Sequence, residues 1–72
     1  MRKRYALEAF GPDFESRGYA TDQKGGLTQD ADKALMYDEL DNAIAVKRIL
    51  QPVYAPDWLT IVDVKNDLVR VQ

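Results

Sequence analysis

The sequence predicts one α+β domain, a single amphipathic helix packed on a four- to five-stranded antiparallel sheet. Three observations lead there. One stretch, at about 39–50, repeats its apolar residues at helical spacing, while the segments on either side alternate at period two or run apolar between turn residues. Seventy-two residues make one domain and not two. Layer rules then require a lone helix to cover one face of the sheet.

The first strand is expected from Arg4 to Phe10. Tyr5, Leu7 and Ala9 fall on one side and Arg4, Ala6, Glu8 and Phe10 on the other. Gly11-Pro12-Asp13 breaks it, and a return leg follows around Arg17 to Thr21. The next turn is Gln23-Lys24-Gly25-Gly26, whose paired glycines take positive φ without penalty. Thr28 then caps one short helical turn that includes Asp30, and Ala34 to Tyr37 forms a short strand.

For the helix at 39–50, Asp38 is the expected N-cap and Asp41 imitates the second half of a capping box. Leu40, Ala43, Ile44 and Leu50 share a face with Val46 at its edge, and Gln51-Pro52 ends the helix. Lys47 falls inside the apolar stripe. Either its stem packs at the sheet edge with the amine in water, or this end of the helix is a rim facing a partner. A closing hairpin is expected from Trp58–Lys65 and Leu68–Gln72 around Asn66-Asp67, with Lys65 opposite Leu68, Val64 opposite Val69, Val62 opposite Val71 and Asp63 opposite Arg70.

Composition narrows the chemistry. A chain this short buries only about 60% of its unfolded surface, so the core is thin. The net charge is −2, with Arg2, Lys3 and Arg4 at the start and five carboxylates against one lysine from Asp30 to Asp41. Such a small acidic chain lacks the basic footprint of a general nucleic-acid binder. No apolar run approaches the ~20 residues that span a bilayer, and no signal-peptide core follows the basic start, so a cytoplasmic location is expected.

There is no histidine and no cysteine, which removes the common general base, thiolate nucleophile, zinc cluster and iron–sulfur ligands. Ser16 is the single serine, without a base to complete a triad. Asp30 and Asp32, with Asp38 and Asp41, offer hard oxygens for Mg²⁺ or Ca²⁺, but without the glycine and glutamate of a calcium loop; capping and solvation explain them better. Asp13 with Glu15 as a glycosidase-type pair, and Lys24-Gly25-Gly26 as a phosphate loop, fail on domain size and on spacing. No enzyme, cofactor or metal is therefore expected.

The aromatics are the stronger signal. Tyr5, Phe10, Phe14, Tyr19, Tyr37, Tyr54 and Trp58 are more than one helix on one sheet hides, and exposed Tyr and Trp are favoured binding anchors. Tyr54 and Trp58, around Pro52–Pro56, are the first candidates, with Trp58 either a partner contact or a core plug. The acidic run with Asp30, Asp32, Asp38 and Asp41, and the rim residue Lys47, form the second.

The layout also carries a resemblance. Arg4-Tyr5-Ala6-Leu7, Gly26-Leu27-Thr28-Gln29-Asp30, Lys33-Ala34, Tyr37-Asp38-Glu39-Leu40-Asp41-Asn42-Ala43 and Trp58-Leu59-Thr60-Ile61-Val62-Asp63-Val64 together look like the short accessory proteins of phages and prophages. The resemblance covers most of the chain as a pattern and has no diagnostic motif. It implies an anti-CRISPR or other host-takeover protein that binds and inhibits or redirects a host protein or ribonucleoprotein complex without catalysis. No binding residue transfers, since that group shares no common site. The alternative expectations are a self-assembling module that dimerises through a sheet edge, leaving monomer or homodimer open, and a metal-dependent domain using the four aspartates.

Overall fold

The computed structural model describes residues 4–22, 24–66 and 69–71. Among the described residues, six strands form one sheet: β1 (Tyr5–Phe10), β2 (Ser16–Ala20), β3 (Leu27–Thr28), β4 (Met36–Tyr37), β5 (Trp58–Asp63) and β6 (Val69–Arg70). The path is β3-β2-β1-β5-β6, every pairing is antiparallel, and β4 also pairs with β1. One helix, α1 (Leu40–Tyr54), packs on the sheet. The α+β class is as expected. The expected short strand at Ala34–Tyr37 is present as Met36–Tyr37, and the strand count exceeds the expected four to five through Leu27–Thr28, which pairs with β2 over two residues, too briefly for periodicity to register.

The alternation in β1 places Leu7 and Ala9 in the core, with Tyr5 packed against it. Leu59 and Ile61 from β5, Ala20 from β2, and Ala43, Leu50 and Tyr54 from α1 complete it, flanked by Leu40, Ile44 and Val46. The helical stripe thus meets the face it was expected to meet. The β5 register (Phe10 opposite Trp58, Glu8 opposite Thr60, Ala6 opposite Val62) puts those side chains on the face away from the helix.

Several boundaries differ from expectation, each for a local reason. The N-cap of α1 is Glu39, without a side-chain cap bond, and not Asp38. β4 holds the chain extended one residue longer, through its pairing with Tyr5 and Ala6 and the bond from the Arg4 N–H to the Tyr37 carbonyl at 3.0 Å. At its other end α1 runs through Pro52 to Tyr54. Proline in the last turn forfeits one N–H bond. Two side-chain clamps hold the helix end: the Gln51 amide donates to the Asp57 carbonyl (2.7 Å) and accepts from the Leu59 N–H (3.0 Å). The Ala55–Pro56 peptide that follows is cis. The short turn after β3 is a 3₁₀ turn at Ala31–Lys33 capped by Asp30, whose carboxylate accepts the Asp32 N–H, and not by Thr28.

The closing hairpin is shifted by one residue. Val62 faces Arg70 and Asp63 faces Val69. Strand β5 stops at Asp63, and Val64–Asn66 form a 3₁₀ turn in which the Asp63 carboxylate accepts the Lys65 N–H. That turn displaces the expected two-residue connection, and a one-residue slip exchanges the faces of every β6 side chain. Asp67 and Leu68, and with them the expected Lys65–Leu68 pair, lie outside the described residues, as do Arg2, Lys3, Gln23 and Gln72. Asp63 pairs with Arg4 instead of Arg70: Arg4 Nε donates to both carboxylate oxygens at 2.9 Å, and a terminal guanidinium nitrogen lies 2.6 Å from Oδ2. These bonds hold the carboxyl of Asp63, which is only 3% exposed, below the usual carboxylate range.

Candidate functional site

At the end where β1 leaves the sheet and β5 enters it, the face away from the helix carries Phe10, Phe14, Trp58, Thr60 and Arg70 around an open depression of about 190 Å³. Phe10 and Trp58 arrive as register partners on neighbouring strands. The β1–β2 turn brings in Phe14. Its N–H donates to the Gly11 carbonyl (2.9 Å) around Pro12-Asp13, and the Gly11 N–H donates to the Glu15 carbonyl (2.9 Å).

The Asp13 carboxylate braces this turn by accepting the Glu15 N–H and pairing with Arg17 at 3.1 Å. The Glu15 N–H bond, ahead of Arg17, holds the Asp13 carboxyl below its ordinary range. Phe14 itself sits at φ 63°, in the left-handed region. A hairpin normally places glycine or asparagine there, and an L-residue with a bulky side chain costs roughly 1–2 kcal/mol.

The strained backbone presents a solvent-facing ring. Phe14 is 73% exposed and Trp58 is 60% exposed, and their rings meet edge to face with centroids 5.9 Å apart. Arg70 lies across Phe10, its guanidinium carbon 4.6 Å from the ring centroid. Below them, Thr60 Oγ1 donates to the Glu8 carbonyl (3.3 Å) and Ser16 Oγ donates to the Glu8 carboxylate (2.7 Å). The assembly is an amphipathic surface, aromatic at the centre and cationic at one side.

The residues expected at a site divide. Trp58 belongs to this surface and is no core plug. Tyr54 does not: it is 5% exposed, in the core, with its hydroxyl 2.7 Å from the Asp22 carbonyl and 2.8 Å from that of Gly26. Burial, and secondarily Asp22, pushes its hydroxyl above the ordinary tyrosine range. It ties the helix end to the β2–β3 turn and is not available as an anchor.

Asp30 and Asp32 are exposed in the 3₁₀ turn, and Asp41 is exposed in the first turn of α1, where it suits the helix dipole. Asp38 is half-buried, and its Oδ1 is buried without a hydrogen-bond partner among the described residues. The four aspartates do not assemble: among the described residues no three acidic side chains group as a metal site would need. Lys47 is half-buried on α1.

Phe10, Phe14 and Arg70, which line the depression, are not among the candidates named from the sequence. Phe14 left a signal, a large apolar residue inside a Gly-Pro-Asp turn. Phe10 fell on the period-two side opposite the core. Arg70 was hidden by the one-residue slip, which assigned it to Asp63. No helix among the described residues is long and apolar enough to cross a membrane. Comparison of the chain with protein-family models, with curated proteins and with solved structures yields no match.

Proposed function

We propose that this chain is a non-catalytic protein-binding module whose docking surface is the Phe10–Phe14–Trp58 face. The observation that carries the reading is Phe14, a large apolar ring kept outside the core at positive φ and set against an exposed tryptophan. Backbone strain persists where the surroundings over-determine it, and it concentrates at functional positions. Aromatic side chains in a shallow, preformed depression are the usual anchors of protein interfaces. The want of histidine and cysteine in the sequence is in keeping with binding over catalysis. The resemblance to short phage accessory proteins narrows the partner to a protein or ribonucleoprotein complex of a host cell, a CRISPR–Cas or other defence system among them, inhibited or redirected by occupancy.

The test compares capture from bacterial lysate by the natural chain and by a Phe14→Ser/Trp58→Ser variant at moderate salt. A stoichiometric partner held by the first and lost by the second, with hydrogen exchange slowed across 10–16 in the complex, is expected. Equal capture by both chains defeats the assignment of the face.

A second reading has its own observation. β6 ends the strand order, and its Val69 and the adjoining Val71 are exposed, a short apolar edge able to pair with a second copy. Light scattering at high concentration decides it, since a strict monomer removes the edge dimer.

A further inference from the structure

Resting on that reading, we infer that the aromatic face takes an acidic protein segment: one aromatic or large aliphatic side chain enters the depression while an adjacent Asp or Glu side chain pairs with Arg70. Volume limits the occupant first. About 190 Å³ is below the ~300–1,000 Å³ of small-molecule sites and accommodates a single large side chain. Charge then selects its neighbours. Arg70 is the charged side chain of the lining, it is exposed, and it makes no ion pair or side-chain hydrogen bond among the described residues. Its contact with the Phe10 ring restrains the guanidinium at the rim. A restrained guanidinium still offers its N–H fork, whose geometry matches a carboxylate.

Two of the carboxylates near the face are otherwise engaged, and neither Glu15 nor Asp57 pairs with Arg70 among the described residues. Glu8 takes the Ser16 hydroxyl, and Asp13 takes Arg17 and the Glu15 N–H. The complement is a side-chain carboxylate. Capture of a chain terminus relies on a nest of backbone N–H groups, whereas the cation offered at this depression is the Arg70 guanidinium. With a net charge of −2, the molecule as a whole does not steer an acidic partner, so discrimination resides in the Arg70 contact and is expressed mainly in the dissociation rate.

Trp58 is the sole tryptophan, so its emission reports on this face directly. The full chain is titrated with three blocked pentapeptides, Asp-Glu-Phe-Asp-Glu, Ser-Gly-Phe-Ser-Gly and Lys-Arg-Phe-Lys-Arg, and with an oligothymidylate. Saturable binding of the acidic peptide is expected, about tenfold tighter than the neutral one. Arg70→Gln is expected to erase that difference, and Arg70→Glu to move the preference to the basic peptide, each with an unchanged far-ultraviolet spectrum. No saturation by the acidic peptide up to roughly millimolar concentration, equal binding of all three peptides, or preference for the oligonucleotide overturns the inference. In the lysate assay, loss of the partner with Phe14→Ser but not with Arg70→Gln leaves the docking face standing and refutes the acidic segment. Retention by both variants refutes the face itself.

Discussion

Replacing Tyr54 with phenylalanine separates a structural tyrosine from a binding one. The ring keeps its place among Leu7, Leu50 and Ile61, and only the hydroxyl is lost. Gly26's carbonyl retains a second partner, the Thr21 N–H at 3.0 Å, so the Asp22 carbonyl bears most of the loss. One hydrogen bond of this kind is worth about 1 kcal/mol, somewhat more where an acceptor is left dry. In a domain this size that lowers the melting midpoint by about 4–8 °C.

Tyr54→Ala also removes the ring, at about 3–5 kcal/mol. A chain of 72 residues has roughly 4–11 kcal/mol of total stability, so the alanine variant is expected to be largely unfolded at 37 °C. Because burial raises the Tyr54 pKa in the folded state, its contribution is complete below about pH 10 and is lost as pH rises through the folded value. The phenylalanine variant should therefore show a blunter alkaline decline. Thermal scans and hydrogen exchange across 21–27 measure both effects. An unchanged midpoint with unchanged exchange refutes the clamp, and loss of a partner by a fully folded Tyr54→Phe chain refutes its exclusion from the binding face.

Asp63→Asn probes the Arg4 pair. The depressed carboxyl stabilises the fold above about pH 4 and ceases to do so as pH falls through its folded value, so the asparagine variant should be less stable at neutrality and lose less on acidification; parallel denaturation curves at pH 7 and 3 check this. Pro52→Ala restores a donor to the Arg48 carbonyl in the last turn of α1 and should stabilise the fold by about 1–2 kcal/mol in urea unfolding, with no gain if the helix were already broken there. Phe14→Asn relieves roughly 1–2 kcal/mol of backbone strain and forfeits roughly 0.5–1.5 kcal/mol of ring contact with Trp58. Its stability should stay within about 1 kcal/mol of the natural chain while partner affinity falls. Millimolar Mg²⁺ or Ca²⁺ should leave the melting midpoint in place, since a bound cation would raise it.

What could be read in advance follows the range of the forces involved. The helix face from Leu40 to Leu50 and the alternation of β1 are local periodicities, and both emerged with the right residues inward. The helix ends were not local matters. Strand pairing by Met36–Tyr37 postponed the start, and Gln51 gripping Asp57 and Leu59 carried the helix past a proline that propensity alone treats as a stop. The hairpin register failed in the same way. Four valines and an apparent Asp63–Arg70 pair supported a compact turn, but Arg4, nearly the whole chain away, had the stronger claim on Asp63. That error concealed the cationic side of the candidate site, because Arg70 is free of a structural role only with Asp63 held by Arg4.

The central position of β1 has a consequence for how the molecule comes into being. Its six residues are bordered on one edge by β2 and β4 and on the other, along their full length, by β5, which the chain delivers only at 58–63. Nothing made earlier can fill that edge with the same side chains. A nascent polypeptide stopped before Trp58 holds a helix without Leu59 and Ile61 beneath it and a first strand open along one side, so the core cannot close until β5 has been made. Folding of this domain therefore waits on β5, and a nonsense codon anywhere before it should yield a product fit only for degradation.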